Sequence, residues 1–220
     1  MRSGFEPTAF VIATVIALLA AASPTSAQEP RLEGRVPESI RAEIDALLDS
    51  AAAIGLPTEP IVDRALEGAS KGAGANLILA AVRRLTGELS DAREALGSAS
   101  SEAEIVAGAS AIRAGATSGD LEQLRMLRAN KSLTIAAAVL ADLVAVGVPA
   151  DTAAAAVITL AVGAEDVEYI AFRRNVERDI ALGASPVSAL GVRLTNAADE
   201  MAAFSPEAVG GSTRRRPQKP

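Results

Sequence analysis

Apolar residues recur along this chain at spacings of three and four, and no useful stretch alternates apolar with polar. That period puts apolar side chains on one stripe of a helix, where a strand would need a period of two. Ile40, Ile44, Leu47, Leu48 and Ala51 form one such stripe, with Arg41, Glu43, Asp45 and Asp49 off it. Gly55 then fits a left-handed helix end, and Pro57 stands where the helix cannot continue. Thr58 is placed to cap a second helix running to about Lys71, which Gly72-Ala73-Gly74 breaks. Ile78, Val82, Leu85, Leu89, Ala92 and Leu96 make the stripe of a third helix, and Gly97 ends it. Ser101 with Glu104 reads as a capping box for a fourth helix that stops near Arg113. A loop over 115–119 follows, and Asp120 is placed to cap a short helix through Arg128.

The same punctuation then returns. A helix over 133–146 meets Gly147-Val148-Pro149, which matches Gly55-Leu56-Pro57 at an offset of 92. A helix over about 150–162 follows, with Gly163 in the place of Gly72 at an offset of 91. In the next helix Ile170, Arg174, Val176 and Ile180 stand for Leu79, Arg83, Leu85 and Leu89 at that offset. Gly183 closes it, and Ser185-Pro186 opens another helix with a cap and a proline at its first position. The fold class expected is therefore all-α, a helical bundle or helix-hairpin array of about eight to nine helices. Two readings of its organisation stand side by side: two duplicated four-helix units, 38–114 and 132–206, or one undivided bundle whose Ala-rich helices match by chance. The segment 133–162 carries few polar side chains, and each of its arms is shorter than the roughly 20 residues of a membrane span. Burial inside a bundle is the expectation there.

The first 27 residues read as an export leader. Arg2 gives a positive start, 9–22 is apolar but for Thr14, Pro24 ends the run, and Thr25-Ser26-Ala27 offers small residues for cleavage after Ala27. On that reading the domain plan is a signal peptide over 1–27, a linker over 28–37, the all-α domain over 38–207 and a basic tail over 208–220. The localisation expected is export, to the periplasm or beyond it.

Composition excludes several chemistries. Cys and His are both absent. The fold is held without disulfides, and thiol nucleophiles, the Ser-His-Asp triad and His- or Cys-ligated zinc are ruled out. No Asp-x-Asp-x-Asp-Gly loop points to calcium, so no cofactor and no metal is expected. Beyond the leader the only aromatic residues are Tyr169, Phe172 and Phe204, too few for the stacking platforms on which single-stranded nucleic acids sit. No nucleic-acid partner is expected. The body 28–212 carries 16 bases against 26 acids, near −10.

Three acids are candidate catalytic residues. Asp142 stands alone on an apolar helix, where it needs either an exposed edge or a cationic partner. Arg173 or Arg174 would supply one if the hairpin 133–162 packs under the following helix. Glu165 and Glu168, with Asp166 between them, form an acidic cluster after Gly163. The cluster suits either acid–base work or stabilisation of a helix start. Gly68 to Gly74 lacks the order of a phosphate-binding loop and reads as an inter-helix turn. In the tail, Arg214, Arg215, Arg216 and Lys219 could adhere weakly to an anionic envelope surface or membrane. The functional expectation is an exported, non-enzymatic helical protein that binds or scaffolds in the cell envelope or extracellular space, with an unidentified protein or envelope polymer as its partner. The alternative is a carboxylate-dependent hydrolase acting on an envelope component.

Overall fold

The computed structural model describes residues 29–203. The leader with Ala27 and the tail with Arg214, Arg215, Arg216 and Lys219 lie outside the described residues. Among the described residues the chain is all-α, with nine α-helices and no strand: α1 (Glu38–Ala53), α2 (Glu59–Ser70), α3 (Ala75–Leu96), α4 (Glu102–Ala114), α5 (Ser118–Leu127), α6 (Thr134–Ala145), α7 (Ala150–Leu160), α8 (Asp166–Ala181) and α9 (Pro186–Ala203). No helix among them is long and apolar enough to cross a membrane.

The longest helix, α3, organises the first half. Its six-residue apolar stripe is buried throughout, and α1, α2, α4 and α5 all pack on it. Helix α4 comes especially close because Gly108 faces α3. A side-chain carbon at that position would sit 3.0 Å from Leu96 Cδ1 and 3.1 Å from Ala92 Cβ. The stretch before α1, a linker by sequence, is packed into the core. Pro30–Leu32 forms a 3-10 turn, and Leu32 and Val36 are buried. That turn also covers Asp45, which the stripe pattern assigns to the solvent side of α1. Asp45 is buried and accepts a hydrogen bond from the Glu29 amide at 3.4 Å. The cap of α5 differs from the sequence reading as well. Thr117, not Asp120, is its N-cap, and Asp120 returns the bond as the third residue of a capping box.

Helix α6 joins the halves. Its most extensive packing is against α4, and α7 and α8 also lie on it. Helix α8 packs on α9, and α7 reaches α5 and α9. One continuous hydrophobic cluster runs from Leu32 to Leu190. The two halves share their rhythm: α2 and α7 begin 91 residues apart, as do α3 and α8. Gly55 and Gly147 close corresponding turns with φ of +71° and +97°. Their packing is not shared, since α2 lies on α3 whereas α7 lies on α6 and α9.

Two ionised groups hold the α5–α6 turn. The Glu104 carboxylate, from the first turn of α4, is buried. It accepts from the Ser101 amide at 2.9 Å, the Ser101 hydroxyl at 3.0 Å, the Leu133 amide at 2.9 Å and Arg125 Nη2 at 2.5 Å. Arg128, with its side chain 1% exposed, reaches the other way. It donates to the Ala164 carbonyl at 2.6 Å and to Asp166 Oδ1 at 2.7 Å, and its guanidinium lies 5.1 Å from the centre of the Tyr169 ring. Tyr169 is fully buried and donates to the Val157 carbonyl at 3.0 Å, and burial pushes its phenol up to about 12. Glu104 thus binds α4 to the start of α6, and Arg128 binds the end of α5 to the α7–α8 turn.

Burial alone would raise the Glu104 carboxyl, but the amides of Ser101 and Leu133 and the Arg125 guanidinium outweigh it and bring the group down to about 2. A folded-state value below the unfolded one means stability that is present above pH 4.5 and is lost as pH falls toward 2. The difference corresponds to about 3 kcal/mol. Urea unfolding at a series of pH values should show stability falling across that interval. In Glu104→Gln the fall should be shallower, with lower stability at neutral pH.

Candidate functional site

The acids singled out by sequence are engaged in structural contacts. Asp142 on α6 accepts from Arg173 Nη1 on α8 at 2.5 Å, with both side chains part-exposed. Helix α6, the first arm of the hairpin, does pack on α8, and of the two arginines Arg173 faces Asp142 while Arg174 is exposed. Glu165 pairs with Lys131 at 2.6 Å, and that bond holds its carboxyl below the usual range. Asp166 is taken by Arg128. Glu168 accepts from the Glu165 amide and closes a capping box at the start of α8. Acids in this position offset the helix dipole and satisfy amides that have no intrahelical partner. Among the described residues no group of three acids could hold a metal ion.

A different feature offers a place for a ligand. Helices α2 and α4 flank α3 without packing closely on each other, and an open groove of about 820 Å³ lies between them. Leu85 and Leu89 of α3 form its floor. Pro60, Asp63, Arg64 and Glu67 rise from α2, and Ala103, Val106, Ala107, Ser110 and Arg113 from α4. Glu59 and Glu102 stand at the starts of the two wall helices, and Thr134 of α6 is part of the lining. The volume is in the upper part of the range for ligand clefts, about 300–1,000 Å³.

The lining combines an apolar floor with a charged rim, and much of that charge is already paired. Arg31 makes a two-pronged contact with Glu59 at 2.6 and 2.8 Å. Those bonds, with the Arg31 side-chain hydrogen bond first, draw the Glu59 carboxyl below its ordinary value. Glu67 meets Lys71 at 2.6 Å and Arg64 at 3.2 Å. Arg113 meets Glu88 at 2.7 Å. Asp63 and Glu102 are exposed and have no ion pair among the described residues. Chemically the groove can exclude water along its floor and attract positive charge at its rim.

No family, curated protein or solved structure matches the chain.

The sequence narrows the partner of Asp142 to Arg173 or Arg174, because one apolar hairpin, one acid and one following helix leave few geometries, and the structure selects Arg173. It does not reveal the groove. A groove is space left between helices, and α2 and α4 each read as ordinary amphipathic helices on their own. The one available signal was the acid series Glu59, Asp63 and Glu67, spaced by one turn along the helix.

The Asp142–Arg173 pair is part-exposed, and such pairs contribute little. Asp142→Asn should therefore change stability by no more than about 1 kcal/mol in thermal or urea unfolding.

Proposed function

We propose that this chain is an exported, non-enzymatic helical protein that binds a partner in the cell envelope or extracellular space through the groove between α2 and α4. The groove carries the reading. It is a sizeable, water-accessible space with an apolar floor, framed by three helices that share one hydrophobic core. The leader pattern of 1–27 supports export, and the acidic body suits a soluble binding protein.

The alternative, a carboxylate-dependent hydrolase, finds less support. A general acid must hold its proton near neutral pH, which calls for burial or a neighbouring negative charge. Asp142, Glu165 and Asp166 instead face cations. Asp63 and Glu102 are open to solvent.

The test uses the exported protein. Its mass should correspond to a chain beginning at Gln28, and it should retain an envelope component on affinity purification. Val106→Glu puts a charge into the groove at a part-exposed position and should release that component without unfolding the protein. Equal retention by Val106→Glu would take the binding role away from the groove. A purified form that keeps 1–27 would contradict cleavage and export in this form.

A further inference from the structure

The groove's length, shape and residual charge specify what would fill it, an inference that rests on the binding role proposed above. Its lining on α4 runs from Glu102 to Arg113, following that helix for about 17 Å, or three turns. On α2 it runs from Glu59 to Glu67, and Leu85 and Leu89 lie one turn apart between the two walls. Two helices flanking a third, with apolar side chains along the trough, leave the place that a fourth helix takes in a bundle. An amphipathic helix laid into such a trough sets its apolar residues on the floor and its polar ones at the rims.

Charge decides the flanks. The lining acids Glu59 and Glu67 are paired with cations of this chain, and the lining cations Arg64 and Arg113 with acids, Arg64 sharing Glu67 with Lys71. The two lining charges left without an ion pair among the described residues, Asp63 and Glu102, are both negative, and they stand on opposite walls. Glu102 also offsets the dipole at the start of α4. Asp63, in the middle of α2, has no such role. We infer that the groove binds an amphipathic helix of about three turns from a partner protein. Its apolar stripe rests on Pro60, Ala103 and Val106, above the buried Leu85 and Leu89, and lysine or arginine residues beside that stripe face Asp63 and Glu102.

The probes are two synthetic helical peptides of about twelve residues, each with the same leucine stripe. Lysines flank the stripe in one and glutamates in the other. Fluorescence anisotropy with the full chain should show the lysine peptide bound tighter by roughly tenfold. The double variant Asp63→Lys, Glu102→Lys should reverse the order while its circular dichroism stays that of the parent. Equal affinity for both peptides overturns the cationic helix and leaves an apolar binding groove. A lysine preference that survives the reversal places the contact elsewhere on the acidic body and also overturns it. Failure of both peptides to bind, with the tail intact and with Arg214, Arg215, Arg216 and Lys219 replaced by serine, overturns the groove reading itself. Binding that emerges only when Arg214, Arg215, Arg216 and Lys219 are replaced by serine assigns the groove to the chain's own tail, and the partner helix is then wrong.

Discussion

Glu104 and Arg128 are ionised groups taken out of water, and the arrangement of the helices follows from the partners each must have. A buried charge left unpaired costs several kcal/mol, so its position is fixed wherever its partners are. Glu104 needs the Leu133 amide and Arg125, which brings the start of α6 against the first turn of α4. Arg128 needs the Ala164 carbonyl and Asp166, which brings the α7–α8 turn back to the end of α5. With these two ties made, α6 has little choice but to lie along α4, and the apolar faces of both halves meet as one core.

This constraint reaches the groove because α4 serves both. Glu104, Gly108 and Ala111 face inward along one side of the helix, toward α3 and α6. Glu102, Val106, Ser110 and Arg113 face the groove along another. The carboxylate that orients the N-terminus of α4 therefore also sets the height of one groove wall. The opposite wall is set by the packing of α2 on α3. A binding surface built this way is pre-organised, which lowers the cost of ordering it when a partner arrives.

Features carried by short-range spacing were legible in the sequence. The α3 stripe and the Ser101–Glu104 box depend on residues one helical turn apart, and both are present as read. Thr117 and Asp120 also stand three apart, and spacing alone does not say which of them caps; the Thr117 hydroxyl does, where the acid is the one expected. The second duty of Glu104 was not legible, because a carboxylate has lone pairs to spare after the capping box and nothing local says where they go. The burial of Asp45 depends on a proline-led turn that composition alone makes look like a linker. The matching offsets of the two halves describe where helices start, and packing partners are a separate matter: α2 and α7 begin alike and pack differently.

If the buried ties make one structure of two similar runs of helices, the halves must open together. Native-state hydrogen exchange across a denaturant series measures this directly, since each amide reports the free energy of the opening that exposes it. The slowest amides of α3 and α4 and those of α6 and α8 should converge on one global unfolding free energy and one denaturant dependence. A set of α6–α8 amides exchanging through a separate opening of lower energy, while α3 and α4 remain protected, would contradict that account.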